Sequence, residues 1–464
     1  MLTDMIIFGA GKQAETTYEL ASFMGYQVIA FADNDEKKWG KRIKGIEIVS
    51  PEQVKIYSCK MVIPDKFFDE ISLQMETLEY SGTMVRRSEL NAEILIHEYN
   101  REQFRKPDFN NHLTYVIDSY FRQSYWGGAE SWSCFVNNAL VKRRCKTLFM
   151  CGNNDRFDDV VHDCVHYCED NQFEVMKKMI DDIIMNLPCV IFSIASIALQ
   201  AAFIVKKLYP EHIKIVMVIH SDTARIYKNV SRMIEGIDKV VCISKKIEET
   251  CINFYKIPVD KLAYHVNPIR LVEKQPRQEN VCGRLRVGFA ARLLKLAKRT
   301  QLLPLVMDEC FRRGIDVEFH IAGEGECLDL LRTFVEENHL NEKVYLEGWI
   351  SPMGMADFWQ RQDIYLSISD FEGMSLTMLE AMAYGAFPVV TDVSGVTDVI
   401  KEGKNGLIVS ADKWLDCVDK IAALDEDREL LMRGSRYNMD NIREKCDADR
   451  YVDWLINTFQ MEEQ

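Results

Sequence analysis

Short apolar runs alternate with amphipathic stretches along almost the whole chain. The pattern holds from HLTYVIDSY at 112–120 to DKVVCISKKI at 238–247, and again from RLRVGFAAR at 284–292 to NGLIVS at 405–410. Runs that are apolar throughout are typical of strands buried on both faces, and the intervening helical periodicity supplies the covering helices. The pattern therefore predicts an α/β protein with two doubly wound, mostly parallel sheets.

A smaller unit of the same kind opens the chain. A strand leads into Gly9-x-Gly11-x-x-Ala14, a helix follows to about residue 24, and a second strand ends at Asp33. Glycines at this turn let the backbone approach a pyrophosphate, and the acid can accept ribose hydroxyls, so Gly9, Gly11 and Asp33 form a tentative nucleotide site. About four strands fit before the charged segment at 86–106. An equal alternative to a nucleotide site is a Rossmann-like module that binds no ligand.

These patterns divide the chain into three domains and a tail. The polar, proline-containing stretch at 266–283 is typical of a linker between the two larger sheets. The predicted boundaries are a Rossmann-like module at 1–105, a domain at 106–275, a domain at 276–440, and a C-terminal helix at 441–464 that crosses back to the second domain.

Composition narrows the class of protein. A net charge of −14 and a pI near 5.3 argue against a main role in coating nucleic acid or an anionic membrane, so no nucleic-acid partner is expected. The fourteen cysteines include no C-x-x-C pair, which favours reduced thiols in the cytoplasm. HDCVHYC at 162–168 has histidines and cysteines at helical spacing. Four ligands on one short helix would lie on two faces, so we expect no metal there.

The chain shows no sign of membrane targeting. The N-terminus reaches glycine after only a few apolar residues, unlike a signal peptide. The longest apolar run, at 189–205, has 17 residues with two serines and a glutamine, at the short edge for a membrane span. A buried strand at 189–194 followed by a helix packed on the sheet is the favoured interpretation.

The stretch DFEGMSLTMLEAMAYG at 370–385 places one acid in a turn and another inside a helix. DIYLSIS at 363–369 predicts a buried strand before it, and Ser375 can cap a helix through the apolar residues that follow. A helix start attracts phosphate through its unpaired N–H groups and its dipole. Glu372 and Glu380 would then flank a phosphate site.

The motifs from about residue 108 onward resemble those of family 4 glycosyltransferases of the GT-B type, in which two facing Rossmann-like domains hold an activated sugar. The matching pieces are GGAE at 127–130, His220 in VIHSD, Arg292 and Lys298 in ARLLKLAK, GEG at 323–325, GW at 348–349, the E-x₇-E of Glu372 and Glu380, and GKNGLIV at 403–409. Each piece is weak alone, but their order is specific. The usual glutamate after the later glycine turn is replaced by Asp398.

The resemblance implies a role for each matching residue. Glu372 would hold the sugar and Glu380 the ribose, while Arg292 and Lys298 would stabilise the departing diphosphate. His220 would reach the transferred sugar from the opposite domain. The residues expected at the catalytic centre are therefore Glu372, Arg292, Lys298 and His220, and those expected around the donor are Gly127, Gly128, Gly373, Met374, Ser375, Leu376, Glu380 and Trp349. The D-x-D candidate Asp33-Asn34-Asp35 falls at the ribose-acid position of the N-terminal module instead. We therefore expect no catalytic metal and no cofactor besides the sugar-nucleotide substrate.

The function that follows is retaining transfer of a hexose-type sugar from a nucleoside-diphosphate sugar to a glycan or lipid-linked acceptor, in bacterial cell-surface polysaccharide synthesis. A cytoplasmic location is expected. VKRRCK at 141–146 could steer a lipid-linked acceptor at the inner face of the membrane, or be only a solvated helix end. Two alternatives stay open: a non-catalytic GT-B-like subunit of another transferase, and a nicotinamide oxidoreductase, for which the chain offers no catalytic partners.

Overall fold

The computed structural model describes residues 3–11, 13–101, 112–120, 127–152, 161, 163–168, 171–194, 197–272 and 283–459. The chain divides into two compact units. One unit comprises residues 1–109, 169–185 and 200–210, and the other comprises residues 110–168, 186–199 and 211–464. Three sheets organise these units, and nearly every strand pair is parallel.

The first sheet has the strand order β3-β4-β2-β1-β5-β6. Its strands are β1 (Thr3–Phe8), β2 (Tyr26–Ala32), β3 (Arg42–Ile43), β4 (Ile46–Val49), β5 (Lys60–Ile63) and β6 (Met84–Arg86), with helices α1 (Ala14–Phe23), α2 (Pro51–Val54), α3 (Phe68–Thr77) and α4 (Arg87–Arg101). About four strands were expected and six are present, because the two-residue β3 and the three-residue β6 are too short for apolar periodicity to mark them. Strand β3 pairs antiparallel with β4 in a tight hairpin.

The second sheet has the order β13-β12-β11-β10-β7-β8-β9, all parallel. Its strands are β7 (Thr114–Ser119), β8 (Lys146–Cys151), β9 (Cys164–His166), β10 (Cys189–Ser193), β11 (Ile213–Ile219), β12 (Lys239–Cys242) and β13 (Leu262–Tyr264). The helices that alternate with these strands along the chain are α5 (Gly128–Lys142), α6 (Gln172–Met185), α7 (Ile197–Leu208), α8 (Ala224–Met233) and α9 (Lys245–Asn253). Of these, α6 and most of α7 belong to the N-terminal unit. The sequence did not predict the two three-residue edge strands.

The third sheet has the order β16-β15-β14-β17-β18-β19, again all parallel. Its strands are β14 (Leu285–Ala290), β15 (Val317–Ala322), β16 (Val344–Gly348), β17 (Ile364–Ser367), β18 (Phe387–Thr391) and β19 (Leu407–Val409). The helices are α10 (Leu303–Arg312), α11 (Leu328–Glu337), α12 (Met355–Gln360), α13 (Leu376–Ala383), α14 (Val396–Val399), α15 (Cys417–Glu426), α16 (Arg428–Lys445) and α17 (Ala448–Thr458). All six strands lie where the apolar runs predicted them.

The strand orders determine where ligands can bind. In the third sheet the order reverses between β14 and β17, and in the second sheet it reverses between β7 and β10. Open α/β sheets bind ligands beyond the carboxyl ends of the strands at such a switch point. The loop after β14 carries the ARLLKLAK motif, and the loop after β17 leads into the E-x₇-E motif.

Helix α6 belongs with the N-terminal sheet, although in the chain it connects β9 to β10. Phe173 packs against the apolar core of the first sheet, and the hydroxyl of Tyr99 on α4 donates to the carboxylate of Asp181. Lys177 lies 3.8 Å from the carboxylate of Glu98. The N-terminal unit is therefore built from three separate parts of the chain.

The last helix packs against α5 of the second sheet. The indole N–H of Trp132 donates to the hydroxyl of Tyr451 at 3.1 Å, and both side chains are fully buried. At the other end of α5, Arg143 bonds the carboxylates of Asp449 and Asp453, each at 2.7 Å. The VKRRCK stretch thus uses part of its positive charge to hold α17.

No helix in the described ranges is long and apolar enough to cross a membrane. The long apolar run at 189–205 forms the buried strand β10 and the start of α7, as predicted. Its hydrophobicity follows from burial on both sides rather than from contact with lipid.

Candidate active site

A cleft of about 670 Å³ opens between the carboxyl ends of the second and third sheets. From the second sheet come the start of α5 and the residues after β11. From the third come the loops after β14, β15, β16 and β17. Residues predicted to act together at the site all line this cleft: Gly127, Gly128, His220, Arg292, Lys298, Trp349, Glu372, Gly373, Met374, Ser375, Leu376 and Glu380.

Helix α13 begins at the cleft with Ser375 as its N-cap. Ser375 has an extended backbone, and its hydroxyl accepts from the backbone N–H of Met378 at 3.3 Å. The hydroxyl of Tyr365 on β17 lies 3.1 Å from the same oxygen. Because this arrangement fixes the first turn, the free N–H groups before it face the cleft, where an anion would be stabilised.

Gly373 lets the two halves of the site approach closely. A Cβ atom at this position would overlap the backbone carbonyl of His220, which belongs to the opposite sheet. An ideal Cβ atom on Gly128 would lie 3.7 Å from the side chain of Leu376, which is an ordinary contact distance. The glycine in the FEG turn is therefore required by tertiary contact.

Lys298 and Glu372 form an ion pair beside the start of α13. The ammonium of Lys298 donates to the carboxylate of Glu372, which also accepts from the hydroxyl of Ser369 at 2.9 Å. Burial opposes the charged lysine, but the Glu372 carboxylate outweighs it and holds the pKa of Lys298 above its usual value. The predicted sugar-holding acid and the predicted leaving-group cation are thus direct partners.

Two left-handed residues shape the loop that presents Lys298. Ala297 has φ 62° and Arg299 has φ 50°, a region that residues with a Cβ rarely adopt. The carbonyl of Ala297 accepts from the N–H of Asp370 at 2.7 Å, and Arg299 bonds both the carboxylate of Asp370 and the carbonyl of Ala411. These bonds tie the loop to the FEG turn and offset the strain.

Glu380 lies deeper in the cleft without a cationic partner. Among the described residues no donor hydrogen-bonds its carboxylate, and burial raises the pKa of Glu380 to about 8. A group in this state gains most from a ligand that brings its own hydroxyl donors.

Arg292 and Glu130 approach each other across the cleft. The Glu130 side chain is only 7% exposed, and burial raises its pKa, although the positive charge of Arg292 and the backbone N–H of Gly127 act in the opposite direction. An ideal Cβ on Gly127 would lie 3.0 Å from a carboxylate oxygen of Glu130 and 3.6 Å from the guanidinium carbon of Arg292. Gly127 therefore leaves room for both groups.

His220 faces the cleft as a neutral imidazole. Its Nε2 atom is buried and has no hydrogen-bond partner in the part of the chain that the structure describes, and burial lowers the pKa of His220 to about 3. The ring contacts the edge of Trp132, with 5.0 Å between centroids. An unpaired buried ring nitrogen at a cleft wall is suited to one hydrogen bond with a substrate hydroxyl.

The tentative N-terminal site has a different character. Gly9 has φ 95°, as a tight turn requires. The Asp33 carboxylate, however, accepts from the N–H of Ala10 at 2.7 Å, from that of Asp35 at 2.9 Å and from the ammonium of Lys38 at 2.9 Å. Burial would raise the pKa of Asp33, but these bonds lower it on balance. The acid predicted for a ribose is thus bound to the protein's own donors.

Comparison with known proteins agrees with this architecture. Residues 273–440 match the family described as group 1 glycosyl transferases, and residues 1–85 match the family described as C2185-like, N-terminal. Residues 273–440 therefore carry the group 1 glycosyl transferase domain. The chain has the GT-B fold, as the motif series predicted, and an additional N-terminal domain, as the opening glycine pattern predicted.

The curated relatives of the chain are named for different acceptors. The chain is 30% identical over 176 residues to a poly(ribitol-phosphate) alpha-N-acetylglucosaminyltransferase of Staphylococcus aureus, covering 37% of this chain and 35% of that one. It is 23% identical over 239 residues to the UDP-Gal:alpha-D-GlcNAc-diphosphoundecaprenol alpha-1,3-galactosyltransferase of Escherichia coli, covering 47% and 61%. The chain thus spans between about a third and three fifths of these relatives.

Solved structures show the same fold across most of the chain. The pneumococcal O-GlcNAc transferase GtfA, crystallised with UDP and GlcNAc, matches with a TM-score of 0.62 at 13% identity over 75% of this chain and 99% of that one. A TarM structure matches with a TM-score of 0.54 at 14% identity over 98% of both chains. At these identities the likeness concerns the fold alone.

The predicted site omitted two polar residues that line the cleft, Glu130 and Asn267, and also Ser369, whose hydroxyl donates to Glu372. Glu130 ends the GGAE motif but received no role, Ser369 ends a predicted strand, and Asn267 lies in the stretch assigned to the linker. Among the described residues the buried Oδ1 atom of Asn267 has no partner. The Asn-Pro pair at 267–268 was a signal for a turn, but no local pattern indicates which cavity a turn faces.

Asp398, which stands where the family pattern usually has a glutamate, bonds to residues of the second sheet domain. Its carboxylate accepts from the N–H of Lys245 at the start of α9 at 2.9 Å and from the hydroxyl of Tyr264 at 3.0 Å. It is not among the residues that line the cleft. The replaced acid therefore joins the third sheet domain to the second.

Proposed function

We propose that the chain transfers a hexose-type sugar from a UDP-sugar to a hydroxyl of a glycan or lipid-linked acceptor, with retention of configuration. The observation that carries this proposal is the Lys298–Glu372 pair beside the start of α13, at the switch point of the third sheet. Uridine is supported by the E. coli relative, whose name specifies UDP-Gal, and by the UDP in the GtfA structure.

The donor diphosphate fits at the start of α13. The N–H groups at 373–376 and the positive end of the helix dipole attract its negative charge. Arg292 and Lys298 add two cations from the loop after β14. Because charge on the diphosphate increases as it leaves, cations fixed at this position stabilise the transition state more than the ground state.

The two glutamates suit the two hydroxyl-rich ends of the donor. Glu372, at the turn, would accept from hydroxyls of the transferred sugar while it stays in contact with Lys298. Glu380, further along the helix, would accept from the ribose. Ribose hydroxyls would supply the donors that Glu380 lacks among the described residues, and would thereby lower its raised pKa.

The opposite wall offers neutral groups to the sugar. The buried Nε2 of His220 and Oδ1 of Asn267 have no partner in the described chain, and both residues line the cleft. With its pKa lowered to about 3, His220 stays neutral at physiological pH and would hydrogen-bond a sugar hydroxyl without adding charge.

Retention is best explained by attack on the face that the leaving group vacates. The bond between the anomeric carbon and the β-phosphate oxygen breaks, the acceptor oxygen bonds to that carbon, and its proton passes to the departing phosphate. Glu130 lines the cleft from the second sheet, but its carboxylate accepts from the backbone N–H of Gly127. We assign it to holding the loop and Arg292 rather than to forming a covalent intermediate.

The proposed setting is bacterial cell-surface polysaccharide synthesis on the cytoplasmic side of the membrane. The relatives' names specify a ribitol-phosphate polymer and a lipid diphosphate as acceptors, which supports a polymeric or lipid-linked acceptor here. A cleft between two domains can admit the end of either.

A donor-hydrolysis screen tests the proposal, because water replaces the unknown acceptor. UDP-, GDP-, ADP- and dTDP-sugars are each incubated with the full chain, and the released nucleoside diphosphate is measured. We expect release from at least one UDP-sugar, and loss of that release in Glu372→Gln. Donor binding by calorimetry without hydrolysis or transfer would instead support the non-catalytic subunit. Binding of none of these donors would refute the proposal.

A further inference from the structure

Two cysteines and a histidine meet at one edge of the second sheet. Cys151 is the last residue of β8, and Cys164 and His166 are the first and last residues of β9. Each offers one possible ligand atom, and these three atoms lie within 4.8 Å of one another. The Sγ atom of Cys151 is 3.5 Å from Nδ1 of His166.

The strand geometry removes the reason for expecting no metal here. On the helix that the spacing of HDCVHYC predicted, the ligands would lie on two faces. On a strand, residues two apart share a face, so Cys164 and His166 point the same way. Cys151 pairs directly with His166 across the parallel ladder and therefore lies on that face too. His162, also considered in the sequence, lies outside the described residues.

The distances and ligand types fit zinc. A sulfur and a nitrogen bound to one tetrahedral zinc ion are about 3.6 Å apart, given the usual zinc–ligand bond lengths. The 3.5 Å between Cys151 and His166 matches this separation. Two thiolates and an imidazole are the soft and borderline ligands that select zinc over magnesium or calcium. We propose that Cys151, Cys164 and His166 bind one zinc ion.

The surroundings let a zinc ion reach its three ligands. Cys164 and His166 are partly exposed, so water can reach the site and supply a fourth ligand. The carbonyl of Gly152 lies 3.2 Å from Nδ1 of His166, a hydrogen bond that zinc binding at Nδ1 would replace. The thiols of Cys151 and Cys164 lie 3.5 Å from the carbonyls of Val165 and Val161, contacts that zinc-bound thiolates would not need.

The zinc ion would have a structural role. Strand β9 has only three residues and lies at the edge of its sheet, with β8 as its single partner strand. A metal bound by both strands would secure this edge, since the energy of ligation adds to folding. None of the three ligands lines the donor cleft, so the ion takes no part in sugar transfer.

Metal titration of the chelator-treated full chain tests this site. We expect one zinc ion per chain, and with cobalt the thiolate-to-cobalt charge-transfer band together with the d–d bands of tetrahedral coordination. Cys164→Ser and His166→Gln should each abolish stoichiometric binding and the rise in Tm that zinc produces. Cys168→Ser, which changes an exposed thiol two residues beyond His166, is the matched control and should bind normally.

Three results would overturn the zinc site. They are a stoichiometry near zero in the unmodified chain, unchanged binding in both ligand variants, and a Cys151–Cys164 disulfide in protein purified under reducing conditions. Because Cys151 is buried, its substitution could disturb folding. The test therefore relies on the two partly exposed ligands, and circular dichroism checks that each variant is folded.

Discussion

The ammonium of Lys298 bonds directly to the carboxylate of Glu372, although 74 positions separate the two residues in the chain. In the ligand-free cleft each neutralises the other. A bound donor would place its diphosphate near Lys298 and its sugar near Glu372, so that both charges act on the same molecule. The pair therefore connects recognition of the sugar to stabilisation of the leaving group.

Lys298→Ala should lower kcat/KM for donor hydrolysis. The loss should correspond to about 2 to 4 kcal/mol of transition-state stabilisation, the range typical of a group aimed at developing charge. Most of the loss should be in kcat, because the lysine acts on charge that grows during the reaction. Steady-state kinetics measures this directly. Lys295→Ala removes an exposed cation from the same loop and should have little effect. A change of less than threefold in Lys298→Ala would remove it from the catalytic centre.

Donor binding should tighten as pH rises towards about 8 and then level off. Ribose hydroxyls donate to the ionised form of Glu380, and burial raises the pKa of this carboxyl to about 8, so below that pH binding must first remove a proton. Calorimetric titration with UDP between pH 6 and 9 measures the trend. Glu380→Gln should bind more weakly and lose this pH dependence. Affinity independent of pH in the unmodified chain would contradict the assignment.

Glu380→Gln should also stabilise the ligand-free protein at pH 8. A folded-state pKa raised from about 4.5 to about 8 means that the folded chain binds more protons than the unfolded chain in this window. The free energy of unfolding therefore falls as pH rises from about 4.5 to 8, and an amide removes that fall. Thermal unfolding at pH 5 and pH 8 tests this. A variant less stable than the unmodified chain at pH 8 would show that the carboxylate is stabilised in the fold.

Gly373→Ala should abolish donor hydrolysis without unfolding either sheet domain. The new methyl group would overlap the carbonyl of His220, so the two walls of the cleft would have to separate. Far-ultraviolet circular dichroism should remain unchanged while hydrolysis falls by at least the tenfold that about 1.4 kcal/mol represents. Full activity in this variant would mean that the close approach is not needed for turnover.

Donor hydrolysis should persist in EDTA, because Arg292, Lys298 and the start of α13 supply the positive charge that a metal would supply elsewhere. Rates are compared with and without chelator at a temperature well below the unfolding midpoint. Loss of activity restored by magnesium or manganese would refute this expectation. An effect on thermal stability that only zinc reverses would be assigned to the Cys151–Cys164–His166 site.

The sequence by itself determined the elements built from local patterns. Apolar runs marked all six strands of the third sheet, Ser375 marked the start of α13, and the ordered motifs identified the GT-B fold. These features depend on side-chain periodicity, capping and backbone freedom within a few residues, which a single sequence displays. The predicted cleft residues did come together, because strand order brings loops after the carboxyl ends to a common edge.

Only the tertiary structure decided which of these groups are partners. HDCVHYC has helical spacing but forms a strand at Cys164–His166, because pairing with β8 overrides a weak local preference. The carboxylate of Asp33 accepts from the N–H of Ala10, and that of Asp398 accepts from the N–H of Lys245 and the hydroxyl of Tyr264. Helix α6 joins the N-terminal unit through Phe173 although it follows β9 in the chain. Such contacts join residues tens of positions apart, and their distances follow from the packing of whole domains rather than from any local pattern.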